Sequence, residues 1–197
     1  MGGESHGERG ALSEMKSKIL GLSHLQIEPA RPGEIDRILA IERESFSVPW
    51  TRKMFEAEVT GNPFGHLRVA RAPGGETGES RVVGFICFWV VFEEVHLMDV
   101  AVEPAYRRLG VARRLVSHAL AFGAARGARR ALLEVRISNR AAQGLYARFA
   151  FREAGTRPKY YTNPVEDARL LDLEPIQEQA EVMAEARGNE GLIGTSG

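Results

Sequence analysis

One stretch constrains the fold of this 197-residue chain more than any other: Val100-Ala101-Val102-Glu103-Pro104-Ala105-Tyr106-Arg107-Arg108-Leu109-Gly110-Val111-Ala112. The apolar run before Pro104 reads as the end of a strand, and the Arg-Arg-x-Gly-x-Ala segment opens a helix that runs from Gly110 to Ala125. Glycine at the turn lets a ligand approach the backbone, and the free N–H groups and dipole of a helix start attract an anion. Such a turn can cradle a pyrophosphate, with Arg107, Arg108, Arg113 and Arg114 adding charge around it. Taken alone, the motif is weak, and its plainer reading is a positively charged helix start.

The elements on either side alternate in type. Leu22 to Glu28 reads as a short strand, and Pro32 to Phe46 carries Ile35, Ile38, Leu39 and Ile41 at helical spacing. Thr51 is a candidate N-cap for a second helix reaching Thr60. Strands follow over Leu67–Arg71 and Arg81–Val91, separated by a Pro73-Gly74-Gly75 turn, and then over Val95–Val102 and Arg129–Val135. A helix over Asn139–Ala150 precedes two last strands, near 151–161 and 167–173. The expected class is α/β or α+β with one mixed sheet. Residues 1–21 read as a loose extension, 22–174 as the working domain, and 175–197 as a polar tail with a short helix over Pro175–Arg187.

Composition removes several classes. Lys+Arg and Asp+Glu both number 26, which gives no reason to expect a nucleic-acid or membrane-surface binder. The single cysteine, Cys87, excludes an internal disulfide framework and a cysteine-rich metal site, and no metal-ligand cluster is visible. In its hydrophobic strand it reads as a small buried side chain, not an acyl-carrying nucleophile. The longest apolar run, Val82–Phe92, is too short for a membrane helix, and no signal-peptide pattern follows Met1, so the expected location is cytoplasmic. No Gly-Lys-Ser/Thr loop and no Gly-x-Gly-x-x-Gly fingerprint occurs, which argues against nucleoside-triphosphate and dinucleotide sites.

Further motifs narrow the ligand. After the Arg-x-x-Gly-x-Ala turn come Leu132-Leu133-Glu134-Val135-Arg136, then Ser138-Asn139-x-x-Ala142-x-x-Leu145-Tyr146, then Phe149-Ala150-Phe151. In this order and spacing they resemble the GCN5-related N-acetyltransferase (GNAT) family over about residues 25–174. Leu133-Glu134-Val135-Arg136-x-Ser138-Asn139, with Phe46-x-x-Pro49-Trp50 upstream and Tyr160-Tyr161 downstream, is similar to the family's ribosomal-protein-alanine branch. That branch acetylates the N-terminal amine of a small-subunit ribosomal protein.

The resemblance implies the GNAT fold: a mostly antiparallel central sheet splayed into a V, with acetyl-coenzyme A in the cleft and no metal. The pantetheine is expected to pair with Val100, Ala101 and Val102, and the pyrophosphate to sit on backbone amides of Arg107, Arg108, Leu109, Gly110, Val111 and Ala112. Asn139 is expected to contact the cosubstrate, to cap the following helix, or both. Glu134, a carboxylate in an otherwise apolar strand, is either the general base or the partner of a neighbouring arginine. Tyr146 matches the family's general acid, its alternative being a core tyrosine, and a backbone N–H near Val100 or Val102 is the expected oxyanion donor. Trp50, Tyr160 and Tyr161 are candidates for the substrate wall, both tyrosines reaching it only if their strand bulges; Phe46 reads as core. His96 reads as a satisfied structural histidine.

The resemblance leaves the acceptor open between a protein N-terminus, a lysine side chain or a small amine, and a non-catalytic coenzyme A-binding module. A chain-terminal amine is neutralised at pH 7 for about 3.5 kcal/mol less than a lysine amine, so a lone glutamate suits the terminus. The expected partner is a protein substrate, without nucleic acid or membrane, and a monomer. One departure stands out: Ala150 precedes Phe151 where the family usually has glycine. The neutral total also hides a cancellation, since Arg107–Lys159 carries 13 basic and 2 acidic residues while Glu166–Gly197 carries 8 acidic and 2 basic. The basic half is the one expected to hold a polyanion.

Overall fold

The computed structural model describes residues 22–73 and 80–176. Seven strands form one sheet: β1 (Gln26–Pro29), β2 (Gly65–Ala72), β3 (Arg81–Val91), β4 (Glu94–Val102), β5 (Arg130–Arg136), β6 (Arg152–Thr162) and β7 (Val165–Leu173). Their order is β1-β2-β3-β4-β5-β7-β6, and every pair is antiparallel except β4 with β5. Four α-helices lie wholly within the described residues: α1 (Ile35–Arg43), α2 (Arg52–Thr60), α3 (Val111–Ala124) and α4 (Arg140–Ala147). This is the expected α/β class with a mixed, mostly antiparallel sheet.

The apolar residues of the helices sort into two cores. Ile35, Ile38, Leu39 and Ile41 of α1 and Phe55 of α2 pack with Leu67, Val69 and Phe85. Val111, Leu115, Val116, Ala119 and Leu120 of α3 join Ile86, Phe88, Val95, Leu133, Tyr146 and Phe149 in the other. Residues of opposite parity on β3, Phe85 and Ile86, divide between the two cores because strand side chains alternate faces. Gly123 permits a close approach of α3 to the sheet: a Cβ there would lie 2.1 Å from Val95 Cγ2.

The parallel pair is short. β4 and β5 are in register from Glu94↔Arg130 to Leu97↔Leu133, and there the ladder ends. On the β3 side, Phe88 faces Leu97 and Cys87 faces Asp99, so Met98 is the extra residue of a bulge at the point of parting. From Met98 to Val102, β4 keeps its β3 neighbour but has none on the β5 side. This produces the splayed sheet.

Several sequence expectations need correction. The first strand begins at Gln26, not Leu22: Leu25 N–H closes a turn onto Leu22 O, and the Arg114 guanidinium binds both carbonyls. Thr51 does precede α2, but its hydroxyl makes no capping hydrogen bond. Asn139 and Gly110 lie just outside their helices as N-caps. The Pro73-Gly74-Gly75 turn and the Pro175–Arg187 helix fall largely outside the described residues. The chain is still packed at Ile176, which is fully buried and donates its N–H to Arg129 O.

Ala150 has φ of 62°, the left-handed region, and follows the last turn of α4 at an exposed position. A Cβ there costs about 1–2 kcal/mol, partly offset by the greater chain entropy that glycine loses on folding. Ala150→Gly is therefore expected to stabilise the protein by about 0.5–1 kcal/mol, read as a raised urea midpoint with unchanged slope. A lowered midpoint would contradict this reading.

Candidate active site

The turn before α3 is built by its own backbone. Pro104–Tyr106 forms a 3-10 turn, Arg108 adopts φ of 63° and Gly110 adopts φ of 83°. Gly110 is the N-cap of α3, and the helix ladder starts with Arg114 N–H donating to Gly110 O at 3.1 Å. The preceding N–H groups of the first turn face out of the helix end, where an anion can meet them. Of the four arginines expected to add charge around the turn, two are also tied to other segments. Arg107 donates from Nε to Val102 O at 2.9 Å, and from Nη2 to Glu44 O and Ser45 Oγ. Arg114 is held by Leu22 O and Leu25 O. These two fasten the loop and the chain entry, while Arg108 and Arg113 are exposed.

Val100, Ala101 and Val102 lie on the part of β4 that has left β5, so one backbone edge faces the cleft. An extended amide chain can add there as a short β-partner, and a pyrophosphate then reaches the α3 turn at the strand's end. These residues fit a coenzyme A. Asn139 Oδ1 accepts the Ala142 N–H at 3.0 Å, so the capping role is present.

On the opposite wall, Glu134 stands on an alternating strand with Leu133 and Val135 buried and Glu134 itself half-exposed. It is therefore not a carboxylate sunk in an apolar strand. Arg157 Nη1 lies 2.7 Å from Glu134 Oε1, which supplies the arginine partner that was the alternative to a base role. The Tyr160 hydroxyl donates to the same carboxylate, and that bond is the main cause raising the Tyr160 pKa. Burial, then Tyr160 and Glu134, push Tyr161 up to about 12. The two rings touch edge to face at 5.1 Å. They share this wall because β6 bulges between Arg157 and Tyr161, with Lys159 at φ of 52° and its N–H held by Asp167.

Beneath this wall lies Tyr146 on α4, 6% exposed and packed edge to face on Phe151. Burial raises its pKa above the usual tyrosine value, with Asp99 and Tyr161 adding to the effect. Tyr146 is thus both core and close to the cleft, and its phenol is firmly protonated at neutral pH. On the near wall, Trp50 is half-buried against Phe55, and Phe46 packs on the core as expected. His96 lies 2.9 Å from Glu94, the partner expected of a structural histidine, and Cys87 is buried, which pushes its thiol pKa up.

Contacts far apart in sequence complete the site. Ser47 Oγ donates to Asn163 O at 2.9 Å, joining the α1–α2 loop to the β6–β7 turn. Arg136 stacks on Tyr161 at 4.0 Å and binds Asn163 O, Pro164 O and Glu166. Glu166 in turn accepts from Ser138 N and Oγ, and these contacts hold its carboxyl below the usual range. The Ser138 and Arg136 of the motif could be noted in sequence, but nothing there points to Glu166. Among the described residues, no group of three or more His, Cys, Asp or Glu could hold a metal.

Gly110→Ala tests whether the turn is preorganised. Nothing lies within 4 Å of the added Cβ, so only the left-handed backbone is strained. That strain, about 1 kcal/mol, predicts up to about fivefold weaker coenzyme A binding by calorimetry. Unchanged affinity would show that this turn is not a phosphate site.

Comparison with known proteins agrees with this geometry. Residues 35–151 match the Acetyltransferase (GNAT) family. The ribosomal protein bS18-alanine N-acetyltransferase of Escherichia coli (strain K12) is 34% identical over 135 residues, 68% of this chain and 86% of that protein. A Bacillus subtilis (strain 168) protein that carries the same name provisionally is 35% identical over 138 residues, 70% of this chain and 87% of that protein. The crystal structure of the Escherichia coli ribosomal-protein-S18-alanine N-acetyltransferase aligns with TM-score 0.66 and 29% identity, over 77% of this chain and 94% of that one. Arabidopsis thaliana NAA60 in complex with a bisubstrate analogue shares the fold, with TM-score 0.69 at 20% identity over 76% and 98% of the two chains. The chain belongs to the GNAT family of acetyltransferases.

Proposed function

We propose that this protein transfers the acetyl group of acetyl-coenzyme A to the N-terminal α-amine of a protein, the acceptor being the N-terminal alanine of a small-subunit ribosomal protein. The observation that carries the reading is the cleft where β4 and β5 part, with a free strand edge on one wall and Glu134, Tyr160 and Tyr161 on the other. The likeness to bS18-alanine N-acetyltransferases across nearly their whole length supports the acceptor. The catalytic domain is residues 22–174, acting as a monomer in the cytoplasm, where ribosomal proteins are made.

Acetyl-coenzyme A supplies an acyl group activated as a thioester. The chain's task is to present a neutral amine, hold the developing oxyanion and protonate the leaving sulfur. Glu134 takes the proton of the arriving ammonium, directly or through a water. Arg157 is about half exposed and yields its place to that ammonium, so the carboxylate exchanges one cation for another. The N–H of Val102, beyond the parting of the strands, is the oxyanion donor on this edge, since the Val100 N–H lies against the Asp99 carboxyl. Tyr146, kept protonated by its surroundings, donates to the sulfur. Tyr160, Tyr161 and Trp50 line the path of the peptide.

Assay by mass spectrometry of peptides differing in their first residue, with free or blocked termini, tests the acceptor. N-terminal alanine is expected to be the best substrate. Robust acetylation of terminus-blocked, lysine-containing peptides alone would overturn it. Glu134→Gln should slow transfer by about 100-fold near pH 6 and less at higher pH, where more of the amine is already neutral. Tyr146→Phe should lower kcat by about 10-fold or more while leaving coenzyme A affinity near wild type. Wild-type turnover in the double variant would refute both roles.

A further inference from the structure

Two carboxyl groups meet behind the cleft, and the acetyl-transfer reading uses neither. Glu42, in the last turn of α1, is 1% exposed. Its Oε1 accepts the Trp50 N–H at 2.7 Å, and its Oε2 is buried without a donor. Asp99 follows the β4 bulge, and its Oδ2 is likewise buried without a donor. The two side chains lie within hydrogen-bonding reach of each other, and the Val100 N–H lies against the Asp99 carboxyl. The other titratable groups facing the pair are Tyr146 from α4 and Cys87 from β3, with Glu58 of α2 beyond the cysteine. Among the described residues, the groups that act on the pair are the two carboxyls themselves and the N–H groups of Trp50 and Val100, none of them a cation.

Two carboxyl oxygens can approach in such a setting only by holding a proton, because burial opposes each charge and adjacency opposes the second. We propose that Glu42 and Asp99 share one proton and act as a positioning pair for acetyl transfer, tying the Trp50 loop to the bulged backbone at Val100 and keeping the floor beneath Tyr146 free of the second negative charge. The line runs from Trp50 N–H to Glu42, through the shared proton to Asp99, and on to Val100 N–H. It joins the near wall of the peptide path to the strand edge assigned to the cosubstrate. This rests on the acetyl-transfer reading for its role in rate, but not for the existence of the proton.

The pH dependence follows in sign. The folded protein raises the proton affinity of both carboxyls above their ordinary range, so their protonated form favours folding. That contribution is complete below the ordinary carboxylate values and is lost as pH rises through the raised one. Above it, two like charges press α1 from β4, and Tyr146 faces a full carboxylate that makes it a poorer acid.

Wild type, Asp99→Asn, Asp99→Ala and Glu42→Gln are compared from about pH 5 to about pH 9, by steady-state acetylation and by urea midpoint. Asparagine keeps a neutral hydrogen-bonding group but has no proton to lose. At neutral pH it should recover most of the kcat that alanine forfeits. Its alkaline fall in kcat should shift upward by about one pH unit or more, with KM for acetyl-coenzyme A little changed. In urea, the wild-type midpoint should decline relative to Asp99→Asn and Glu42→Gln as pH rises. Superimposable alkaline limbs, or urea series that run parallel, would overturn the proposal. If wild type acetylates no peptide, the function reading fails, and the urea series alone then decides whether the pair holds a proton.

Discussion

The early end of the β4–β5 ladder is the constraint from which the site follows. Parallel strands normally satisfy both backbone edges in a sheet interior, and an unpaired edge there carries a free-energy cost. Here the ladder stops after Leu97↔Leu133, and the bulge at Met98 turns β4 away while β3 stays with it. At the closed end Gly123 lets α3 lie tight on Val95, and at the open end the N-terminus of the same helix meets the turn at Gly110. One helix therefore seals the junction of the strands and presents its positive end beside the gap. An extended amide ligand ending in a pyrophosphate satisfies both features together.

Charge is used more structurally than the sequence suggests. Arg107 and Arg114 sit beside the turn but spend their donors on main-chain carbonyls of other segments. Arg136 fixes the β6–β7 turn and supports Tyr161 from its ring face. Arg157 rests on Glu134 and on the Tyr160 ring. The strongly basic middle of the chain is thus partly a set of clasps between loops. In the proposed reading, an anion at the turn is met by backbone amides and by the exposed Arg108 and Arg113.

The elements were legible because their signals are local: period-two and period-3.6 patterns, Pro104, Gly110 as a helix start, and Asn139 as a cap. Motif order also gave the family, and with it the V-shaped sheet. What could not be read depends on partners far apart in the chain. Glu134 looked buried because its neighbours are apolar, yet alternation turns it toward Arg157, 23 positions on. Tyr160 and Tyr161 share a wall only because Asp167, on the next strand, holds the Lys159 N–H in a bulge. Glu42 and Asp99 are 57 residues apart, and neither stands in a motif that draws attention to it. The first strand starts late because Arg114, a residue of α3, captures the carbonyls of Leu22 and Leu25.

The central claim is that acetyl transfer takes place between the parted strands, with the cosubstrate on the edge of β4 and the turn of α3. Amide hydrogen exchange, with and without a conjugate of coenzyme A and an alanine-initiated peptide, tests it most directly. The account predicts slowed exchange at Val102 and residues 110–112, together with the 160–161 segment, while β1 and β2 are unaffected. Tight binding of the conjugate that protects a different surface, leaving those amides at their free rates, would contradict it.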